Sequence, residues 1–343
     1  MSPNTMTLRN SRELLVAVPY LLGFYPQNSL VVLTLRRSRL GLTARVDLPE
    51  REQPRALQLS VESLMPAILR EAPDTAVLIA YEDAAGDAVP VLVRLSEALR
   101  AHGVDLKDRI VVSNGRWRSL DCDNPACCPT EGTPVPASRD AAAVTAEFVG
   151  AGVAPHATRQ DLARMVEASD GARPVGRLLG APQFAASPAM SPEEVAAVIK
   201  RVLVSGGQCR RPSSEDVARA ALAVRDVQVR DVVAAWVCPG TVDAEMFEPA
   251  ARELLVALAG ISPSAELSGE ALRERRDRLL QVCTMLPDAH ATAWLTILAS
   301  FSWWRGEGAL TRVALDRALR SNPDYGLALL LERMVDLGIR PPE

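Results

Sequence analysis

The first 140 residues carry the hydrophobic patterns of a mixed sheet packed with helices. Residues 29–35 (SLVVLTL) and 40–48 (LGLTARVDL) are β-prone runs joined by RRSR, which predicts a hairpin with a basic, solvated turn. Apolar residues at helical spacing over residues 54–70 predict an amphipathic helix. Residues 75–81 (TAVLIAY) form a continuous apolar run, which is the pattern of a strand covered on both faces.

The next segment predicts a βαβ unit followed by a tight hairpin. A helical period over residues 91–101 leads to an apolar strand over 109–113, so we expect a right-handed crossover that joins two parallel strands. Asn114-Gly115 then stands between IVVS and RWRS, which is the sequence pattern of a two-residue hairpin turn. An α/β domain with a mixed sheet is therefore predicted over residues 1–140.

Beyond about residue 141 the strand patterns nearly vanish, and helical periods rich in Ala and Leu begin. Residues 171–188 are rich in Gly, Pro and Ala, so a helical and linker segment is predicted over 141–190. Ser191 and Ser213 each precede acidic residues at the start of an apolar period, as helix N-caps do. An all-α helical domain is predicted over 191–343. Its helices are expected over residues 192–204, 214–224, 228–237, 244–259, 266–285, 289–304, 309–321 and 324–337.

Two finer patterns lie in the helical half. Leu298, Leu315 and the Asn322-Pro323 ending resemble one tetratricopeptide-like hairpin, but a solenoid needs about three or more such units, so ordinary helix packing is expected. One helical period interleaves arginines with acidic residues, which predicts a solvated helix face. The arginines are Arg273, Arg275, Arg276 and Arg278, and the acidic residues are Glu270, Glu274 and Asp277.

Composition limits the classes of partner. A chain of 343 residues with 48% hydrophobic content predicts two globular domains. The net charge is only -4, and both signs are interspersed, so no single-sign surface is expected to attract nucleic acid or an anionic membrane. Aromatic residues are 4% of the chain, which leaves few platforms for base stacking. We expect no nucleic-acid partner and no membrane partner.

The apolar run over residues 14–24 is too short to span a bilayer. Glu13 and Pro19 interrupt the pattern of a secretory signal, and no A-x-A cleavage site follows. We therefore expect a cytoplasmic protein whose cysteines are reduced.

The stretch DCDNPACCPTEG, residues 121–132, places Cys122, Cys127 and Cys128 in a C-x4-C-C pattern between prolines. Three interpretations are open: a structural turn in which the thiols act as small hydrophobic groups, a metal site with zinc as the cofactor, and a redox site. The structural interpretation is favoured because paired C-x2-C clips and a C-x-x-C motif are both missing. Adjacent cysteines point apart in extended chain, so a shared ion demands a special turn.

A fourth zinc ligand is not evident near the three cysteines. It would be water or come from His102, His156, Cys209, Cys238, Cys283 or Asp121.

A second candidate site consists of carboxylates at strand ends. Glu82 and Asp83 follow the apolar run 75–81, and Asp47 ends an earlier strand. Open α/β sheets bind ligands at the carboxyl ends of their strands, so this edge could hold a divalent cation or an acid/base pair. A solvated loop is nevertheless the favoured interpretation. The motifs of P-loops, dinucleotide-binding folds, serine hydrolases and zinc proteases are all missing.

Several stretches resemble a bacterial, actinobacterial-type family of unknown function, the domain of unknown function numbered 4192. They are VPYLLGFYPQNSLVVLTL, LTARVDLP, CDNPACCPTEGTPV, VRDVVAAW and NPDYGLALLLERMVDLG. The most specific match is C-x4-C-C-P-x-x-G, which falls on Cys122, Cys127, Cys128, Pro129 and Gly132. The resemblance implies that both halves of the chain belong together, and it supplies no activity.

Two classes of function follow from these patterns. The favoured one is a noncatalytic regulatory or partner-binding protein, whose partner would be a protein. The alternative is an enzyme with a ligand or metal site at the carboxyl edge of the sheet, near Asp47, Glu82, Asp83 and the cysteine block. The missing catalytic motifs favour the first class.

Overall fold

The computed structural model describes residues 8–49, 53–150, 152–185, 190–204, 211–259 and 268–341. The chain forms two compact units. Unit 1 comprises Met1–Arg159 and Met334–Ile339, and unit 2 comprises Gln160–Arg333 and Arg340–Glu343. The division into segments at residues 140 and 190 stays a prediction.

Unit 1 contains one six-stranded sheet with the order β2-β1-β3-β4-β5-β6. The strands are β1 Ser29–Arg36, β2 Arg39–Asp47, β3 Thr75–Glu82, β4 Asp105–Ser113, β5 Arg116–Ser119 and β6 Thr133–Pro134. Strands β3 and β4 are parallel, and the other neighbouring pairs are antiparallel. The predicted α/β unit with a mixed sheet is therefore confirmed.

Helices cover this sheet because their apolar faces match its buried strands. The helices of this part of the chain are α1 Ser11–Leu22, α2 Pro54–Arg70, α3 Val89–Ala101 and α4 Ala142–Gly150. Ile68 of α2 and Leu92 of α3 share one core cluster with Leu30 of β1 and Leu78 of β3. A separate cluster joins α1 to α4, where the rings of Tyr20 and Phe148 stack with centroids 4.8 Å apart.

The predicted turn between β4 and β5 is confirmed. Ser113 pairs with Arg116 across a two-residue loop, and the φ angles of Asn114 and Gly115 are +50° and +72°. Positive φ at both positions is what a type I′ turn requires, and Asn and Gly tolerate it best. The turn starts the short strand that leads to the cysteine block.

From Arg159 onward the described chain is helical. The helices are α5 Arg159–Arg164, α6 Ala172–Leu179, α7 Pro182–Ala185, α8 Pro192–Leu203, α9 Ser214–Ala223, α10 Val227–Val237, α11 Pro249–Ala259, α12 Gly269–Thr284, α13 Asp288–Trp304, α14 Gly308–Ser321 and α15 Gly326–Asp336. The predicted caps are confirmed, since the hydroxyl of Ser191 accepts from Glu194 N at 3.3 Å and that of Ser213 accepts from Asp216 N at 3.0 Å. Helix α14 ends directly before Asn322-Pro323.

Helix α6 corrects the linker-like interpretation of residues 171–188 where that stretch is described. Val175 of α6 is fully buried within unit 2. A Cβ added to Gly171 would lie 3.2 Å from Met285 Cγ, and one added to Gly176 would lie 3.5 Å from Pro287 Cγ. The small residues therefore permit close packing, which composition alone does not distinguish from flexibility.

Helix α12 corrects the prediction of a solvated arginine face. Arg275 and Arg278 are both buried. The Arg275 guanidinium lies over the Trp236 ring, 4.6 Å from its centroid, so a cation–π contact offsets part of its desolvation. Among the helices described, none is long and apolar enough to cross a membrane.

Candidate metal centre

The cysteine block forms a loop between β5 and β6, and arginine side chains hold both of its ends. At the start, Arg109 Nε donates to the two carboxylate oxygens of Asp121 at 3.1 and 3.0 Å. At the end, Arg116 Nε donates to the Glu131 carbonyl at 2.8 Å, and its Nη2 donates to the Gly132 carbonyl at 2.7 Å. The loop is therefore fixed to the sheet at both ends, while its middle is largely exposed.

Gly132 returns the chain to the sheet at a position that only glycine fits without strain. Its φ is +76°, and an added Cβ would lie 3.0 Å from the carbonyl oxygen of Trp117. The next residue, Thr133, pairs with Trp117 in the sheet. Gly132, the glycine of the C-x4-C-C-P-x-x-G motif, thus ends the loop that contains the cysteines.

One tight turn brings the three thiols together. The side-chain oxygen of Asn124 accepts from the main-chain N–H two residues later at 3.0 Å. Its backbone carbonyl accepts from the N–H groups of Cys127 at 3.2 Å and Cys128 at 2.8 Å, and Pro125 restricts φ inside the turn. The Sγ atoms of Cys122, Cys127 and Cys128 consequently all lie within 4.8 Å of one another. This is the special turn that a shared ion requires.

The sulfur spacing fits a single thiophilic ion. Cys122 Sγ and Cys127 Sγ are 3.2 Å apart. Around a tetrahedral zinc ion with Zn–S bonds of about 2.3 Å, neighbouring sulfurs lie roughly 3.8 Å apart. Small side-chain rotations would therefore place the three sulfurs on three corners of that tetrahedron. Cys127 is exposed and the other two thiols are partly exposed, so an ion can enter from solvent.

Hydrogen bonds inside the cluster favour a thiolate at Cys122. Its pKa lies below the ordinary thiol value because the backbone of Asn124 and the thiols of Cys127 and Cys128 donate hydrogen bonds to the sulfur. The pKa of Cys127 is raised to about 11, chiefly because its thiol serves as a donor to Cys122. Metal ligation needs thiolates, so an arriving ion would displace the Cys127 proton.

None of Asp121, His102 and His156 joins the three thiols as a fourth ligand. Asp121 is engaged by Arg109, and that hydrogen bond holds the pKa of its carboxyl below the ordinary value. The ring nitrogen Nδ1 of His102 lies 2.8 Å from the Ala98 carbonyl on its own helix end. The main-chain N–H of His156 donates to the carbonyl of residue 23 at 2.8 Å, which places this residue in an isolated β-bridge.

The remaining cysteines play a different part. Cys238 and Cys283 are buried in unit 2, and burial raises the pKa of each thiol to about 12, so both stay neutral. Cys209 lies outside the described residues. Within the described ranges, no further His, Cys, Asp or Glu joins the three thiols at the same spacing. The cluster therefore offers three sulfur ligands, and a fourth ligand for a tetrahedral ion would have to be water or an incoming group.

Glu82 is not available as a ligand. It is buried, and its two carboxylate oxygens accept from Gly86 N at 3.0 Å and Ala88 N at 2.9 Å. The side chain therefore closes the loop between β3 and α3. Asp83, its neighbour, is exposed.

The structure does not bring the acidic edge and the cysteines together. Glu82 pairs with Ser113 at the carboxyl ends of β3 and β4, whereas β5 starts beside Ser113 and runs back along β4. The cysteine loop follows the far end of β5. Asp47 is exposed at the end of β2 and pairs with Arg45 at 2.7 Å. The expectation that the strand-end carboxylates and the cysteine block lie near one another is therefore corrected.

Sequence reasoning missed the residues that position the cysteines. The sequence pattern predicts strands at Arg109 and Arg116 and nothing more. Their side chains bond residues 12 and 15 positions later, and no local pattern marks such a long-range partner. Asn124 did carry a signal, since Asn before Pro favours an Asx-type turn that bonds its own backbone.

One comparison with known proteins is informative. No curated protein and no solved structure matches the chain. A family model described as a domain of unknown function (DUF4192) matches residues 12–342, which include both units and the cysteine loop. The chain therefore belongs to the DUF4192 family.

Proposed function

We propose that this protein is a noncatalytic regulatory protein whose cysteine loop, residues 121–132, binds one thiophilic metal ion, with zinc as the first candidate. The observation that carries the proposal is the approach of three sulfurs within 4.8 Å of one another in a loop anchored at both ends. Soft thiolate ligands favour zinc and Cu(I) over hard cations such as Mg²⁺.

A regulatory role follows from where the loop lies. It connects the last two strands of the sheet, and its middle is held by one turn around Asn124. An ion that joins the three thiols would restrict this exposed segment, so metal binding would be coupled to local ordering. The ordered loop would present a defined surface to a protein partner.

A catalytic role for the ion is less well supported. Three protein ligands and an open position do occur in catalytic zinc sites, but those sites also have an acid or base beside the metal. Among the described carboxylates and histidines, none belongs to the group of close ligand atoms that the three sulfurs form, and Asp123 acts on Cys122 only through its charge. The groove on unit 1, about 320 Å³ in volume, is lined by residues of α2 and α3 such as Gln58 and Arg94, and contains none of the cysteines.

The proposal also implies a compartment. Three free thiols must remain reduced to bind an ion, so we infer a reducing, cytoplasmic location. The low net charge and scarce aromatic residues support a protein partner over nucleic acid or a membrane surface.

The test is the metal content of the protein purified under reducing conditions and then supplied with zinc. We expect one zinc ion per chain, and we expect Cys122→Ser and Cys127→Ser to lose it. The matched control is Cys238→Ala, which also removes one cysteine but leaves the cluster intact. Circular dichroism verifies that each variant is folded.

Two outcomes would reject the proposal. One is wild-type protein that takes up no zinc at micromolar free concentration. The other is full retention of zinc by folded Cys122→Ser and Cys127→Ser.

A further inference from the structure

The thiols of Cys122 and Cys127 lie close to the geometry of a disulfide. Cys127 and Cys128 are adjacent, so their Cα atoms are about 3.8 Å apart, which is shorter than the usual range of roughly 4.4–6.8 Å. Cys122 is separated from Cys127 by four residues, and their Sγ atoms are already 3.2 Å apart. A shift of about 1 Å would bring them to the bonding distance of about 2.05 Å.

We propose that the same loop is a thiol-modification site, at which a low-molecular-weight disulfide converts Cys122 and Cys127 to a disulfide that can no longer hold the ion. The cross-link itself rests on the sulfur geometry, and only the loss of the ion rests on the proposed metal function. The loop would then exist in two exclusive states, one holding an ion and one holding a disulfide.

The reaction is two successive thiol–disulfide exchanges. The thiolate of one cysteine attacks a sulfur of the reagent R–S–S–R, which forms a mixed disulfide and releases one R–S⁻. The thiolate of the other cysteine then attacks the protein sulfur of that mixed disulfide, which forms the Sγ–Sγ bond and releases the second R–S⁻. Two protein thiols are oxidised, one reagent disulfide is reduced to two thiols, and the two thiol protons pass to the released thiolates.

Loss of the ion follows from the ligand count. The disulfide removes two of the three thiolates, and Cys128 alone provides one. Within the described residues, no other His, Cys, Asp or Glu joins the cluster to replace them. A single, partly exposed thiolate does not hold zinc against water.

The anchors of the loop do not depend on the thiols. Arg109 still binds Asp121, and Arg116 still binds the carbonyl of Gly132 when the sulfurs are joined. Oxidation should therefore change the loop without unfolding the sheet, and a dithiol should reverse it. Exposure of the pair gives both reagents access.

The experiment treats zinc-free protein with oxidised glutathione and alkylates the remaining thiols. Cleavage on the amino side of Asp123 separates Cys122 from Cys127 and Cys128, so mass spectrometry of the fragments reveals a cross-link across that cut. We expect wild-type protein and Cys128→Ser to form the cross-link. We expect Cys127→Ser to form only mixed disulfides with glutathione.

Zinc uptake is measured on the same samples. We expect the oxidised wild-type protein to take up no zinc, an excess of dithiothreitol to restore uptake, and zinc loading before treatment to prevent the cross-link. Cys238→Ala should behave as wild type in every arm.

The outcomes separate the two proposals. Protein that binds zinc but forms no cross-link, or that forms an equal cross-link in Cys127→Ser, overturns this inference and leaves the metal site standing. Protein that forms the cross-link but never binds zinc when reduced overturns the proposed metal function and leaves the disulfide standing. Zinc uptake that persists after complete cross-linking overturns the exclusive relation between the two states.

Discussion

Gly115 and Gly132, which flank strand β5 and the cysteine loop, both have positive φ but differ in what surrounds them. Gly115 has no atom within 4 Å of an added Cβ, whereas the same Cβ on Gly132 meets the Trp117 carbonyl oxygen at 3.0 Å. Substitution of Gly115 by Ala should therefore lower the unfolding free energy by only about 1 kcal/mol, because alanine adopts the left-handed backbone conformation less readily than glycine. The same change at Gly132 should cost about 2–3 kcal/mol, because the carbonyl or the loop must also move.

Urea unfolding of the two single variants measures this difference directly. Equal losses of unfolding free energy would show that the Trp117 carbonyl moves away without cost, so that its contact with a Cβ at position 132 does not affect stability. A folded Gly132→Ala protein also permits a check on the site, since a displaced loop should weaken zinc binding while Gly115→Ala leaves it closer to wild type.

Residue type predicted which side chains have suitable chemical groups, but it did not predict which hydrogen-bond partners those groups find in the fold. The cysteine spacing predicted that Cys122, Cys127 and Cys128 cluster, and their sulfurs do lie within 4.8 Å of one another. The need for a special turn was evident because Cys127 and Cys128 are adjacent. For Glu82 the sequence indicated a carboxylate at a strand end, but only the fold shows that two backbone N–H groups occupy it. Local sequence does not reveal which donors a carboxylate will find.

At the scale of elements, Arg317 of α14 links several helix ends within unit 2. It is 1% exposed and donates to the carbonyls of Cys283 at 2.9 Å and Leu286 at 3.0 Å, to the carboxylate of Asp288 at 2.8 Å, and to the carbonyl of Val166. These acceptors lie at or near the end of α12, the start of α13 and the segment after α5. The charge is buried only because every side of the guanidinium meets an acceptor.

We predict that Arg317→Met lowers the unfolding free energy by about 3 kcal/mol or more, since three buried carbonyls lose their donor. The matched control is Arg320→Met, one turn away on the same helix. Arg320 is largely exposed and pairs with Glu167 at 2.8 Å, so its loss should cost less than about 1 kcal/mol. Chemical denaturation of both variants decides the matter, and similar losses would contradict the structural role assigned to Arg317.

Elements with a strong local pattern were predictable. Strands β1 to β5, the Asn114-Gly115 turn and the caps at Ser191 and Ser213 follow from alternation, turn chemistry and hydrogen-bonding side chains that act within a few residues. Helix α6 and the buried arginines of α12 were not predictable from the sequence. Small residues, like interleaved charges, have the same sequence pattern whether they pack against a neighbouring helix or face solvent.

At the scale of the whole molecule, the metal proposal predicts a linked change in thermal stability. Binding to the folded state alone raises stability with the logarithm of free ion concentration. Zinc at a hundredfold excess over its Kd should therefore raise the Tm of the transition that includes unit 1 by about 5 °C or more. EDTA should reverse the shift.

Differential scanning fluorimetry of Cys122→Ser and Cys238→Ala completes that test. The first variant should show no zinc-dependent shift, and the second should shift as wild type does. An equal shift in Cys122→Ser would mean that zinc stabilises the protein from another location.

The sequence by itself determined strands β1 to β5, the change from an α/β to an all-α architecture, and the residues from which a metal site could be built. These features depend on periodicity, turn residues and residue type, which act over a few positions. Only the tertiary structure decided that Asn124 turns three thiols to one point, that Arg109 and Arg116 anchor their loop, and that Glu82 is occupied elsewhere. The hydrogen bonds of Arg109 and Arg116 join residues 12 to 16 positions apart, and they form only when the sheet has set their partners side by side. Those of Asn124 and Glu82 span two to six positions, but residue type alone does not tell which main-chain N–H groups a side chain will meet.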